Sequence, residues 1–205
     1  MKVKSRTAAL WASSVTVGIA ALATMLLISG CALTTGHVDL QYQPQTEATK
    51  IAGANSRSVT VAVTDKRPNQ AVGEKINGFG MKTADIVADN NVSDTVKSAF
   101  ETELQNRGFK IGPGGDSIAV ALNNLQNQFS LGWFSGESTA NMGMDVTVRG
   151  SNGAVLYHKY ITGHNQEWVE VGTSTNAQHT LDAAMQDAVS KVFSDSKFID
   201  ALKKP

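Results

Sequence analysis

The 205-residue chain has a single cysteine, Cys31, so no disulfide can form within it. The same scarcity removes zinc sites of the cysteine–histidine kind, because His37, His158, His164 and His179 have no cysteine at ligand spacing. Net charge is absent too, since eighteen Lys and Arg balance eighteen Asp and Glu. Three of the bases (Lys2, Lys4 and Arg6) and none of the acids fall in the first thirty residues. The remainder therefore holds fifteen bases against eighteen acids, a net −3, with no electrostatic drive toward nucleic acid or anionic lipid. There is no G-x-S-x-G nucleophile elbow. Gly78-Phe-Gly80 and Gly112–Gly115 are not followed by the Lys-Ser/Thr that a phosphate loop needs. No internal repeat is present. These absences predict a non-enzymatic protein with no cofactor, no metal and no nucleic-acid partner.

What the chain does have begins at its start. A charged head, Met1–Arg6, leads into an apolar stretch from about Ala8 to Ile28, closed by Ser29-Gly30-Cys31. That is the layout of a secretory signal. Leu27-Ile-Ser-Gly-Cys31 reads as a lipobox, in which an aliphatic residue fills a protease pocket and two small residues let the backbone approach the catalytic site. Cys31 then carries a diacylglyceryl group, which also explains the lone cysteine of an exported chain. The competing reading is an uncleaved helix, since the run is ~20 residues, long enough to span a bilayer. Against it, Gly and Ser close the run where a helix anchor would carry Lys or Arg. Ala32, where an Asp would resemble an inner-membrane retention signal, directs the expectation to the outer membrane. The expected organisation is a signal peptide at 1–30, a lipidated tether at 31–36 and one periplasmic domain at 37–205.

In the body, His37–Gln43 and Arg57–Val63 alternate apolar and polar residues as strands do. Residues 66–90 carry Gly73, Gly78 and Gly80 without a period and read as a long loop, with a short extended piece at Lys82–Val87. A helix follows, capped by Asn91, with Val92, Val96, Ala99, Phe100 and Leu104 on one stripe and a glycine stop at Arg107-Gly-Phe109. Three strands come next. The first changes parity between Leu122 and Leu125, so a bulge is expected near Asn123-Asn124. The second holds Met142, Met144, Val146 and Val148, and Ser151-Asn152-Gly153 signals a type I′ turn into the third, which Gly163 is expected to kink. A second helix starts near Thr175, with Leu181, Ala184, Met185, Ala188, Val189 and Val192 on its apolar face. The predicted fold is α+β, in the order β-β-α-β-β-β-α: one mostly antiparallel sheet of about five strands with two amphipathic helices on one face.

Three segments together, the lipobox, Arg107-Gly-Phe-Lys-Ile-Gly-Pro-Gly-Gly115 and the tail ending Phe198-Ile-Asp-Ala-Leu202, make the chain resemble the YajG-type family of uncharacterised Gram-negative lipoproteins. In motif order the resemblance spans roughly residues 26–203. It implies an outer-membrane lipoprotein and supplies no catalytic residues. The α+β order is also similar to envelope lipoproteins that assist larger assemblies, such as lipopolysaccharide-transport partners, at the level of fold analogy alone.

The candidate contact is Ser130-Leu-Gly-Trp-Phe-Ser-Gly136, which joins two strands and places Leu131, Trp133 and Phe134 in a loop. Either these side chains fold back over the sheet or they present an apolar tip to a partner or membrane. Trp168, after the last strand, is expected to pack at a rim. The leading functional expectation is an outer-membrane lipoprotein, held by lipid on Cys31, that binds another cell-envelope component. One alternative is a periplasmic hydrolase of peptidoglycan or glycan using Asp65, Asp85 or Glu167, which would need two carboxyls about 5–10 Å apart. Another is a structural or stress-related envelope lipoprotein. His158 and His164 share a strand parity and read more simply as surface histidines than as metal ligands, and Asp65 with Arg67 as a strand-end ion pair.

Overall fold

A computed structural model of the chain describes residues 34–46, 48–131 and 136–203, with the backbone alone at 131. Cys31, Trp133 and Phe134 lie outside the described residues. Two long antiparallel pairings form the backbone of the domain. β6 (Asp116–Leu131) pairs with β7 (Gly136–Arg149), and β7 pairs with β8 (Val155–Val169). β2 (Ser58–Asp65) lies parallel to β6 on its other side, and the two-residue β5 (Lys110–Ile111) completes a five-stranded sheet in the order β5-β2-β6-β7-β8. The chain passes from β2 to its parallel neighbour through α1 (Val92–Asn106), the crossover that parallel strands require. α2 (Ser174–Ser194) and the short α3 (Ser196–Ala201) follow β8. The fold is thus α+β with the helices on one face of the long sheet, as expected.

The local signals account for these elements. The Asn91 side chain accepts hydrogen bonds from the Ser93 and Asp94 N–H groups, at 2.9 and 3.3 Å, and starts α1. The helix ends in a Schellman arrangement: Phe109 N–H donates to Leu104 O and Gly108 N–H to Gln105 O, both at 3.0 Å. The parity change of β6 is a bulge between Leu122 and Asn124. It allows Leu122 and Leu125, three apart, both to be buried. The core forms between the covered sheet face, including Val61, Val120, Met144 and Ile161, and the stripes of α1 and α2. Phe193 of α2 joins the helices, its ring 5.6 Å from Phe100 and 5.3 Å from Phe198.

Four expectations need correction. The stretch 66–90 is a β-hairpin instead of a loop: β3 (Ala71–Ile76) and β4 (Lys82–Ala88) pair antiparallel. Together with β1 (Gly36–Val38), parallel to β4, they make a second sheet in the order β1-β4-β3. The first expected strand stops at Val38, although Leu40 is buried further on. The β7–β8 turn is not type I′. Gly153 N–H bonds Gly150 O, only Gly153 has positive φ, and Gly150 N–H bonds Ala154 O, the pattern of a type I turn closed by a glycine bulge. Finally, β8 runs unbroken through Gly163. The glycine is there because a Cβ would run into the Ala184 carbonyl of α2, so it sets how closely the helix lies on the sheet.

Two polar hubs are enclosed in this framework. In the first, Glu103 of α1 is wholly buried and accepts from the Tyr42 hydroxyl and the Gln45 N–H, each at 2.8 Å. Arg107, one turn along, bonds the other Glu103 oxygen and, at 2.5 Å, the Gln45 side-chain oxygen. Its guanidinium lies 4.6 Å from the Phe193 ring centroid. In the second, the Asn127 amide donates to Ser138 Oγ at 2.8 Å and Thr180 Oγ1 at 2.9 Å, joining β6, β7 and α2.

Candidate functional site

The residues considered for chemistry do not converge. Strand pairing places Asp65 beside Leu122, whereas Glu167 pairs with Ser138, itself opposite Phe129. Seven residues along β6 and three strand spacings separate the two carboxyls by about 25 Å, several times the reach of a glycosidase pair. Asp85 belongs to the other sheet and pairs with Lys82 at 2.7 Å. Asp65 is engaged by Arg67, whose Nε and Nη2 reach its two oxygens at 2.9 and 2.7 Å. The Arg67 hydrogen bonds hold the Asp65 carboxyl below the usual carboxylate range. The arrangement is a forked ion pair at the end of β2.

His158 and His164 do point the same way from β8, but each meets its own β7 neighbour. His158 Nδ1 is 3.0 Å from Thr147 Oγ1, and His164 Nδ1 is 2.9 Å from Asn141 Oδ1. Six residues of strand put them about 20 Å apart, too far to share an ion. His37 pairs with Asp89 at 2.6 Å. Among the described residues, no group of three or more His, Cys, Asp or Glu is placed to hold a metal.

The geometry instead draws attention to one end of the long sheet. Leu131 is the last residue of β6, its backbone paired with Gly136, and in the sequence Trp133 and Phe134 fall between them, outside the described residues. On the next strand Trp168 pairs with Glu137. It is 77 % exposed on the sheet face that no helix covers, and so does not pack at a rim. Val171, just beyond β8, is exposed as well. At the tip of the β3–β4 hairpin Phe79 and Met81 are exposed too. Leaving a side chain such as phenylalanine in water forgoes about 1.5–3 kcal/mol of burial, so a rim with several of them invites a cover. The sequence reading overlooked Phe79 and Met81, although an aromatic inside Asn77-Gly-Phe-Gly-Met81 was a visible sign of an apolar turn.

A model of a family described as an uncharacterized lipoprotein matches residues 44–203. No curated protein matches the chain. Among solved structures, protein XCC0632 from Xanthomonas campestris is similar with a TM-score of 0.57 at 8% identity, over 83% of this chain and 98% of that one. A second, uncharacterized protein is similar with a TM-score of 0.50 at 9% identity, over 78% and 96%. A minor lipoprotein from Acinetobacter baumannii is more distant, with a TM-score of 0.40 at 10% identity, over 68% and 94%. At these identities the likenesses concern the fold. No helix among the described residues is long and apolar enough to cross a membrane.

Proposed function

Since the chain belongs to a family of uncharacterised lipoproteins, we propose that it is a YajG-type lipoprotein held on the outer membrane by lipid on Cys31, with a non-enzymatic periplasmic domain that binds another cell-envelope component. The contact surface in this reading is the end of the long sheet: Leu131, Trp133 and Phe134 of the connection from β6 to β7, together with Trp168 of β8. The observation that carries it is the exposure of Trp168 on the bare sheet face, opposite Glu137 near the start of β7. Tryptophan is among the side chains most enriched in binding hot spots, and this one stands out from polar neighbours such as Glu137 and Gln166. The separation of Asp65 from Glu167 argues against the hydrolase alternative.

Crosslinking in cells followed by mass spectrometry tests the proposal. The wild-type chain is expected to capture a recurring envelope protein, and the Trp133→Ala, Phe134→Ala double variant to lose it. A Cys31→Ser control should lose both the lipid mass and the capture. If the double variant keeps every partner, the contact assignment is wrong.

A further inference from the structure

The tether is short, and where it enters the domain matters. Resting on the reading of Cys31 as the lipid anchor, only five Cα steps separate the acylated residue from Gly36, the first residue of β1. Fully extended, they reach at most about 18 Å. Gly36 is therefore held near the bilayer surface. Its neighbours are known: a Cβ on Gly36 would sit 2.8 Å from Lys75 Cε and 3.1 Å from Ile86 Cγ1. Lys75 is the next-to-last residue of β3, and the hairpin tip begins two residues later. The register sets Gly36 level with Ile86 and, across β4, with Gly73, so Phe79 lies about 20 Å along the hairpin from the point where the tether enters the fold. β1, parallel to β4, has its N-terminal end toward the tip.

The tip is a closed turn that turns its apolar side chains out. Asn77 Oδ1 accepts from the Phe79 and Met81 N–H groups, both at 3.0 Å. Asn77 N–H donates to Met81 O and Gly80 N–H to Asn77 O, both at 2.9 Å. With the N–H groups of Asn77, Phe79, Gly80 and Met81 bonded within the turn, fewer polar groups are stranded when it enters a poorly hydrated boundary. Phe79 is 90 % exposed and Met81 59 % exposed. The charges behind the tip cancel: Lys82 lies 2.8 Å from Glu74 and 2.7 Å from Asp85, and Lys75 is the other base.

We propose that Phe79 and Met81 form a second membrane contact, inserting at the headgroup–acyl boundary of the leaflet that holds the Cys31 lipid. The occupant is a lipid surface because the tether brings that surface to this end of the domain. The contact is apolar, since the flanking charges are balanced, and so does not select anionic lipid. Tethering makes the insertion intramolecular, which lets a side-chain pair too small to bind membranes alone act as a foot. Two feet fix the orientation of the domain, whereas a single flexible tether leaves it free to swivel.

The test uses the full-length processed chain, purified from membranes and reconstituted into vesicles of phosphatidylethanolamine with or without phosphatidylglycerol. Position Phe79 is replaced by photoreactive benzoylphenylalanine, and Val155 in a second preparation. Val155 is an exposed apolar residue opposite Arg149, which pairs with Ser117 at the other end of β6. The expected result is a lipid adduct at position 79 with a yield about tenfold above that at 155, as insertion of only one end requires. The yield should be the same with and without phosphatidylglycerol and at high salt. No adduct at 79, equal yields at the two positions, or an adduct that needs phosphatidylglycerol overturns the proposal. So does irradiation in cells that joins position 79 to a protein instead of lipid. Intact mass of the same sample reports acylation of Cys31. A chain that is acylated but gives no adduct defeats this inference alone, and a chain that is not acylated defeats the anchor reading and this inference together.

Discussion

The two polar hubs differ in what they bury and in what they hold. The hub around Glu103 and Arg107 is charged and closes the N-terminal arm, residues 40–45, onto α1 through Tyr42 and Gln45. The hub around Asn127 is neutral and fastens α2 to the middle of the sheet through Ser138 and Thr180. A buried charge loses its compensation when one partner goes, whereas hydroxyls and amides can redistribute their hydrogen bonds among those that remain. The charged hub therefore acts as a clasp with a sharp failure. The neutral hub acts as a register pin with a gradual one. The clasp also holds the segment that follows β1, so β1, paired with β4, stands between it and an anchor at Cys31.

The largest expected effect that would break this comparison is Arg107→Ala. It leaves the wholly buried Glu103 carboxylate without its cation, which should cost about 3–5 kcal/mol in urea unfolding. The arm should loosen with it, so limited proteolysis near residues 41–46 should quicken before the core unfolds. A loss below ~1 kcal/mol, the scale of a surface pair, would show that water reaches Glu103 and that the clasp is an ordinary ion pair.

Asn127→Ala sharpens the comparison from the other side. Ser138 Oγ and Thr180 Oγ1 still lie 3.0 Å apart, and Thr180 can donate to the Ala177 carbonyl at 3.1 Å. The loss should be about 1–2 kcal/mol, without faster cleavage of the arm. A cost equal to that of Arg107→Ala would mean the neutral hub is as brittle as the charged one.

Neither hub was legible in the sequence, and the reason is physical. Glu103 and Arg107, four apart on a helix, are indistinguishable from a solvent-exposed pair until the arm is known to lie over them. Asn127 shares the inward parity of Leu125 and Phe129, but between Gln126 and Gln128 nothing in the sequence marks it as the polar residue that α2 covers. Elements governed by local rules were readable: the Asn91 cap, the stop at Gly108, the bulge after Leu122, and the apolar stripes of both helices. The β3–β4 hairpin was hidden because bulges at Ala71/Gly73 and Lys75/Ile76 break its alternation. Gly73 looks like a loop residue but serves instead to lie against Asn127, where an added Cβ would sit 3.2 Å from the Asn127 Cβ. Of the candidate contact residues, Leu131 could be placed only as the end of β6. Trp168 was visible as a residue, but its exposure depended on knowing which sheet face the helices leave bare.

The smallest effect separates the hubs by pH. Burial first, and then its hydrogen bond to Glu103, raise the Tyr42 hydroxyl well above the ordinary tyrosine value. A group that holds its proton more tightly in the folded state stabilises the fold below the unfolded pKa of about 10, and that contribution is lost as pH rises further. Stability of the wild-type chain should therefore fall between about pH 10 and 11, and Tyr42→Phe should remove part of that slope. Tyr157, raised by burial and by Asp195, contributes a further part, so Tyr157→Phe serves as the comparison variant. At neutral pH Tyr42→Phe should cost only about 1 kcal/mol, the net worth of one hydrogen bond. Asn127→Ala should shift the whole alkaline profile down without changing its slope, because nothing in that hub titrates. If Asn127→Ala flattened the profile as Tyr42→Phe does, the two hubs would be coupled through the helices, and the division between clasp and pin would fail.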